Sequence, residues 1–347
     1  MKPTWKKFLL YATYILLASG LLYGLLQLIL SGYAVDWTGF QTKTLWDWMD
    51  LLVIPFVLAL GAFFLNRSER AVERETAKQR DNLERQIAKD RQQEAALQAY
   101  IDRMSELLLE KKIQGEDDKD EVLKVARIRT VTILRALNVQ RNKLVVDFLR
   151  DASLVTDENS IFNDAKIERV DLSGLDLSYI FLKKAVLEGT TFKNSKLSNA
   201  NLEKADLQEC DLTRSNFIHA NLQKANLRRT NLRNAFLWFA NLQEAVLDEA
   251  NLQNADLLNA KLQGVNFGNA DLRNANFTNA DLQSARFYSD FNYSLYLKKQ
   301  KLPSKLANLA GANLAGANLK GAMVTPEQLA QAKSLKGTIM PDGTVHE

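Results

Sequence analysis

The feature that most constrains this chain is a repeat with a period of five residues in its second half. From Ile167 to Phe287, every fifth residue is Leu, Phe or Ile, without a miss over 25 consecutive positions. The residue two places earlier is Ala in 16 of these units, and the residue one place earlier is Asn or Asp in 16. A period of five matches neither the turn of a helix nor the alternation of a strand. The pattern predicts a ribbon that turns after every unit and stacks on itself, with one bulky apolar side chain per unit inside.

Units such as Ala220-Asn221-Leu222-Gln223-Lys224 carry the signature A(D/N)LXX, and in this respect the chain resembles the pentapeptide-repeat family. Such units run through residues 160–287 and return at 307–324. The resemblance implies an all-β, right-handed quadrilateral β-helix, a solenoid with four units in each coil. The segments 93–109 and 325–343 are also similar to segments that flank the repeats of membrane-attached cyanobacterial members, which implies a member of that type.

The first 65 residues predict a transmembrane α-helical hairpin with spans at about 8–30 and 45–65. The run Phe8–Leu30 has 23 residues without a charge, enough for ~35 Å of helix against a hydrocarbon core of about 30 Å. A secretory signal peptide is the alternative, but its apolar region is shorter, roughly 7–15 residues. The second span joins the apolar run Leu51–Leu65 to the six residues before it.

Basic residues flank this hairpin at both outer ends and are nearly missing from its connecting loop. They are Lys2, Lys6 and Lys7 before the first span and Arg67, Arg70 and Arg74 after the second. The positive-inside rule then predicts a two-pass integral membrane protein with both termini cytoplasmic and with the lipid bilayer as a partner. The resemblance to cyanobacterial members would permit either a plasma or a thylakoid membrane, and the sequence does not choose between them. Asp47 and Asp50 in the second span are interpreted as carboxylates at the outer headgroup level rather than as ion ligands inside the membrane.

Between the hairpin and the repeat, the sequence predicts a charged helical stalk at 66–94 and a helical module, an N-terminal cap of the repeat, at 95–155. A heptad seam through the stalk and module would indicate a coiled coil, but Asp90 and Glu94 occupy two of its core positions. A solvated stalk is therefore favoured over a strong coiled coil. A cap has a structural purpose, because an uncapped solenoid exposes its apolar end.

If four units make one coil, the outward pairs of residues fall on four walls, and residues 20 apart stack on adjacent coils. The wall that we call the aromatic wall carries Ile218, His219, Trp238, Phe239 and Leu258. The wall that we call the basic wall carries Lys193, Arg214, Arg233 and Arg273. An exposed apolar ladder favours contact with an unknown protein partner or with a second copy in a homo-oligomer. The alternative is that single surface aromatics are ordinary.

The five-residue register fails after Phe287 and returns two residues out of phase at Leu309. Residues 288–306 are interpreted either as a projecting loop that binds a partner or as a degenerate coil. The candidate binding residues of such a loop are Tyr293, Tyr296, Lys298, Lys299 and Lys301. Residues 325–347 predict a C-terminal cap and tail, with a short helix begun by Thr325 as its N-cap.

Composition argues against several classes of function for this chain: nucleic-acid binding, metal binding and triad-based catalysis are not indicated. The net charge is +4, from 45 basic and 41 acidic residues, so no nucleic-acid partner is expected. The single cysteine, Cys210, and two histidines far apart in sequence, His219 and His346, indicate neither a metal site nor a catalytic triad. The sequence therefore predicts no cofactor and no enzymatic activity.

The function predicted is a non-enzymatic, membrane-tethered scaffold that presents the repeat to protein partners on the cytoplasmic side. A regulator or assembly subunit of a membrane complex or transporter is the alternative. A third hypothesis rests on the resemblance alone, since some members of the family mimic DNA and bind topoisomerases. Those members are strongly acidic, whereas residues 165–287 hold 15 basic and 14 acidic residues, which disfavours this hypothesis.

Overall fold

The computed structural model describes residues 45–114, 119–288 and 306–347, together with Gly20 and Tyr23. The chain divides into two compact units, 1–87 and 88–347. Helix α1 spans Leu45–Gln114 and contributes residues to both units. In the first unit, its large apolar side chains between Phe56 and Leu65 are exposed, by 40% to 67%.

No described helix has both the length and the apolar character that a membrane crossing requires. The predicted second span lies in α1, but its uncharged run Leu51–Leu65 supplies only about 22 Å of helix, against a hydrocarbon core of about 30 Å. Asp47 and Asp50 precede this run. The prediction of a two-pass integral membrane protein with both termini cytoplasmic is therefore wrong, and the lipid bilayer is not supported as a partner. The predicted span 8–30 lies outside the described residues, Gly20 and Tyr23 apart.

The helical module of the second unit consists of the C-terminal part of α1, α2 (Lys119–Ala136) and α3 (Val139–Asp151). Leu97 and Met104 of α1 are buried in the core of this unit. Asp90 and Glu94, which interrupt the heptad seam, form ion pairs with Arg141 of α3 at 2.8 and 3.0 Å. The two carboxylates thus hold helices of one chain together, so their place in the seam has an intramolecular reason.

The repeat forms a β-helix. Within its unbroken run, bridging residues pair with each other at a spacing of 20 positions. The pairing consists of isolated parallel bridges, from Lys166 with Val186 onward, rather than of strands several residues long. The N–H of Leu222 donates to Asn241 O on the next coil at 2.7 Å, and the N–H of Asn221 donates to Ala200 O on the preceding coil at 2.8 Å. Every described coil except the first and last is therefore hydrogen-bonded on both sides, and the predicted β-helix solenoid is confirmed.

The interior of the β-helix holds the bulky and the small side chains that the period predicts. The central Leu and Phe residues and the Ala residues two places earlier are buried throughout this region. Phe267 stacks on Phe287 of the next coil, with ring centroids 5.3 Å apart. Where Thr230 replaces Ala, its hydroxyl donates to Leu227 O at 2.6 Å, so the buried polar group is satisfied.

Cys210 occupies another of the small positions and is buried. Its Sγ lies 3.0 Å from Leu187 O. Burial raises the pKa of the thiol to about 12, so it is protonated at neutral pH. This cysteine therefore fills the core like the neighbouring alanines and has the character of an unreactive thiol.

The Asn or Asp before each central residue stabilises the corner that follows it. Asn221 Oδ1 accepts a hydrogen bond from the N–H of Gln223 at 3.2 Å. Asn221 Nδ2 lies 3.4 Å from Asn201 Oδ1 on the preceding coil. The same turn bond recurs along the repeat, for example from Ser173 N–H to Asp171 at 3.0 Å. This local bond explains why Asn and Asp, which suit such turns, recur at the position.

The first coil has no preceding coil to pair with, and side chains supply the missing donors instead. One backbone carbonyl on each of its four sides accepts a hydrogen bond. The donors and acceptors are Arg135 to Lys166 O (3.0 Å), Asn142 to Asp171 O (3.1 Å), Arg150 to Asp176 O, and Ser160 to Phe181 O (2.8 Å). Three of these donors belong to α2 and α3, so the helical module satisfies an open edge of the β-helix as well as covering its apolar end.

The chain leaves the β-helix at one corner after Phe287 and returns to the same corner at Ala307. The N–H of Ala307 donates to Phe287 O at 2.8 Å, the bond that closes an ordinary corner, as from Ala285 to Leu282 O at 3.0 Å. Tyr288 and Leu306 form an antiparallel bridge at the base of the intervening segment. The two ends of the segment 288–306 therefore meet at one corner of the β-helix.

The C-terminal end is closed by the tail. Helix α4 (Pro326–Leu329) begins with a capping box between Thr325 and Gln328. Gln328 Nε2 donates to Phe287 O at 3.1 Å and to Ala307 O at 3.0 Å, which ties the helix to the corner where the chain re-enters. Beyond it, Asn318 pairs with Ile339 in parallel.

Candidate interaction surface

The aromatic wall lies along one corner of the β-helix, where it is formed by the turn residues of successive coils. His219 and Phe239 are one coil apart, and their rings stack with centroids 5.0 Å apart and planes 14° from parallel. Phe239 is 46% exposed and Ile218, Trp238 and Leu258 are partly exposed. The structure therefore places the five predicted residues on three adjacent coils, with apolar surface open to solvent.

Phe236 adjoins the aromatic wall and was not predicted as part of it. It is 44% exposed, and its ring meets that of Trp238 edge to face with centroids 6.2 Å apart. Phe236 stands at the position before the central residue, which is Asn or Asp in most units. A Phe there cannot accept the turn hydrogen bond that Asn provides, and this departure is the signal that could have identified it.

Phe239 also occupies a backbone conformation that suits it poorly. Its φ is +57°, in the left-handed region, and the same position on the next coil is filled by Asn259 with φ +55°. Asn tolerates this region, whereas a residue with a bulky side chain is disfavoured there by roughly 1–2 kcal/mol. The repeat places Tyr, Lys, Arg, Glu and Ser as well as Asn and Gly in this region, for example Tyr179 at φ +62° and Glu249 at φ +60°, so most of its corners share a cost of this kind.

Trp238 adds a second unfavourable feature. Its indole Nε1 is covered by surrounding atoms and has no hydrogen-bond acceptor among the described residues. A buried donor without an acceptor costs about 1–3 kcal/mol. Such a side chain is poorly adapted to the isolated protein, and an acceptor on a binding partner would relieve the cost if the indole turned outward.

We expect Phe239→Asn to leave the free energy of unfolding unchanged or to raise it by up to about 1 kcal/mol. Relief of the left-handed strain offsets the loss of the stacked pair with His219, which is worth about 0.5–1.5 kcal/mol. The reciprocal change, Asn259→Phe, should lower it by about 1 kcal/mol. Thermal and denaturant unfolding of the two variants measure this. A loss of more than about 1 kcal/mol in Phe239→Asn would show that the ring serves the fold instead.

Two of the four residues of the basic wall form ion pairs. Lys193 pairs with Asp211 at 3.0 Å and Arg273 with Asp271 at 2.7 Å. The hydrogen bond from Arg273 lowers the pKa of Asp271, so this carboxylate stays ionised to lower pH. Arg214 and Arg233 are exposed, and neither has an ion-pair partner among the residues that the structure describes.

The remaining candidate features form no site for catalysis or ligand binding among the described residues. Tyr293, Tyr296, Lys298, Lys299 and Lys301 lie outside the described residues, so their role stays a prediction. A cleft beside α2 is lined in part by Arg127 and Lys183, but both are engaged, with Ile161 O at 2.9 Å and with Glu203 at 2.8 Å. Within the described ranges, no group of three or more His, Cys, Asp or Glu is arranged to hold a metal ion.

Comparison with known proteins identifies the repeat. The family model described as Pentapeptide repeats matches in eight copies, covering residues 165–203, 195–234, 225–264, 255–289 and 306–324. No curated protein gives a significant match.

Among solved structures, the chain is similar to QnrB1, a plasmid-mediated fluoroquinolone resistance protein, with 18% identity over 52% of this chain and 86% of that chain and a TM-score of 0.27. It is similar to HetL, a pentapeptide repeat protein involved in heterocyst differentiation regulation in the cyanobacterium Nostoc sp. strain PCC 7120. That match has 29% identity over 60% of this chain and 100% of that chain, with a TM-score of 0.21. Rfr23 from the cyanobacterium Cyanothece 51142 is 30% identical over 38% of this chain and 60% of that chain, with a TM-score of 0.10.

Proposed function

We propose that this pentapeptide-repeat protein is a non-enzymatic scaffold that binds a partner protein through the aromatic wall and Phe236. Residues 165–289 and 306–324 belong to the repeat family, and the β-helix that they form consists of surface and packed interior. The central side chains of the described coils are buried in its interior, so binding would use its outer surface, which includes the corners.

The observation that carries the proposal is the concentration of exposed aromatic side chains at one corner. Phe239 is exposed in the left-handed region, Trp238 has an unsatisfied indole N–H, and Phe236 replaces a turn-forming Asn or Asp. Phe236 and Phe239 are 44% and 46% exposed, and Trp238 is partly exposed, so a large aromatic surface meets solvent at this corner. Exposed aromatic clusters of this kind are typical of contact sites for other proteins.

Charge argues against a DNA-mimicking function. Residues 165–287 contain 15 basic and 14 acidic residues, and a surface with that balance does not reproduce the regular negative charge of a phosphate backbone. The aromatic wall, with one histidine and four apolar or aromatic residues, resembles the centre of a protein–protein interface in composition.

The proposal is tested by crosslinking and mass spectrometry in cells that express the chain at its native level. The double variant Trp238→Ala/Phe239→Asn should lose the crosslinked partners that depend on this corner. Gln243→Ala/Glu244→Asn changes the same two turn positions at the next corner of the same coil and should retain them. Identical crosslinked partners for the wild-type protein and Trp238→Ala/Phe239→Asn would exclude the aromatic wall as the binding surface.

A further inference from the structure

We infer that the occupant of the aromatic wall is an acidic, apolar segment of a partner protein, an inference that rests on the proposed function. The reason is the charge beside the wall. Arg214 and Arg233 are exposed, and the N–H of Arg214 donates to Arg233 O at 2.9 Å, so the two residues lie on adjacent coils. Neither guanidinium has an ion-pair partner among the described residues.

These arginines lie at one corner of the β-helix. The side of the β-helix that begins at this corner ends at the aromatic wall. Arg233 comes three residues before Phe236, and Phe236 pairs in the sheet with Asn216, two residues after Arg214. Two unpaired positive charges therefore stand next to an exposed aromatic cluster. A segment that places apolar side chains on the rings and carboxylates on the guanidinium groups would satisfy both, because arginine binds carboxylates through two parallel hydrogen bonds.

Two acidic residues beside this surface, Asp211 and Asp256, accept hydrogen bonds from groups other than these arginines. Asp211 pairs with Lys193 at 3.0 Å and accepts from the N–H of Thr213 at 3.1 Å. Asp256 accepts from Asn276 Nδ2 at 2.8 Å. Neither carboxylate pairs with Arg214 or Arg233, so a carboxylate of another molecule can bind these guanidinium groups.

A second copy of this chain fits the surface less well. In a symmetric dimer through the same corner with antiparallel β-helix axes, the aromatic walls would face each other, and each arginine pair would approach the other. Like charges brought together in this way oppose association. Complementarity of charge thus favours a different partner, one with a net negative segment.

Peptide selection tests the inference and does not require the partner to be identified. A random library of phage-displayed 12-residue peptides is panned on the full-length chain, after removal of phage that bind Trp238→Ala/Phe239→Asn. The selected peptides should contain more Asp and Glu than Lys and Arg, next to aliphatic or aromatic residues. Their affinity, measured by fluorescence anisotropy with synthetic peptides, should fall by about tenfold in Arg214→Gln/Arg233→Gln and should show a weaker salt dependence there.

The control is Lys184→Gln/Lys204→Gln, which removes two positive charges from second turn positions on adjacent coils, at the corner on the other side of the aromatic wall, where Lys204 pairs with Glu203 at 3.2 Å. It should leave the affinity within about twofold. Selected peptides without an excess of acid, or an affinity equally sensitive to both double variants, would overturn the inference and leave the proposed function intact. Failure to select any peptide that discriminates against Trp238→Ala/Phe239→Asn would count against both.

Sedimentation of the wild-type chain tests whether a second copy of the chain occupies the aromatic wall. We expect its oligomeric state to be the same in Phe239→Asn and in the wild type. A dimer that Phe239→Asn dissociates would show that a second copy occupies the aromatic wall, and the inference of an acidic partner would then be wrong.

Discussion

Replacement of Leu222 by Asp should abolish the folding of the coil that contains it, with a loss of more than about 4 kcal/mol in the free energy of unfolding. Leu222 is 1% exposed and lies in a column of buried Leu side chains, with Leu202 and Leu242 on the adjacent coils. A carboxylate there has no cation or donor to pair with, because the interior consists of apolar side chains and of hydroxyls that already bond to backbone carbonyls. The side chain would have to leave the interior, and the coil would open.

The matched control for this change is Gln223→Asp, one residue further along the chain. Gln223 is a turn residue that is only partly buried, so its replacement should change the free energy of unfolding by less than about 0.5 kcal/mol. Hydrogen exchange followed by mass spectrometry measures the protection of each coil separately. Equal protection of residues 201–241 in Leu222→Asp and in the wild type would contradict the assignment of this column to the core.

The fold of the repeat follows from the sequence because each five-residue unit contains the residues that determine its own conformation. Leu222 points inward, Ala220 leaves room beside it, and Asn221 closes the corner through its bond to the N–H of Gln223 at 3.2 Å. None of these interactions depends on residues distant in the sequence except through the repeat itself. A local rule applied 25 times therefore predicts the register and the core.

The helical part of the chain was less predictable for the opposite reason. The run Leu51–Leu65 was interpreted as part of a membrane span from its apolar character, but its length does not reach the thickness of the hydrocarbon core. The pairing of Asp90 and Glu94 with Arg141 joins residues about 50 positions apart, and no local pattern marks it. The sequence indicated a cap without indicating which side chains make it.

The candidate surface was only partly predictable as well. The period placed Ile218, Trp238 and Leu258 on one wall because the coil length is fixed by the repeat. Asp211 pairs with Lys193 at 3.0 Å, and the spacing of the outward pairs does not reveal this, because Asp211 stands before the central Leu212 on the adjacent coil. Charge at a corner thus depends on the coil above as well as on the turn residues themselves.

Replacement of Asn142 by Leu should release the first coil from its cap and lower its local stability by about 2–4 kcal/mol. Asn142 is buried, and its Nδ2 donates to Leu134 O and to Asp171 O, both at 3.1 Å. Leucine has a similar size but no donor, so two covered carbonyls would lose a hydrogen bond. In a solenoid each coil contacts only its neighbours, and the loss should therefore be largest in the first coils and fade along the repeat.

Hydrogen exchange followed by mass spectrometry checks this gradient, with Lys143→Leu as the control. Lys143 is the next residue of α3 and is exposed, so the same side chain is introduced without removing a buried donor. We expect protection of residues 166–186 to fall in Asn142→Leu, to be retained in Lys143→Leu, and to be unchanged in both near residues 262–282. A uniform loss of protection along the whole repeat would mean that the β-helix unfolds as one unit, and that the cap acts on its overall stability rather than on its open edge.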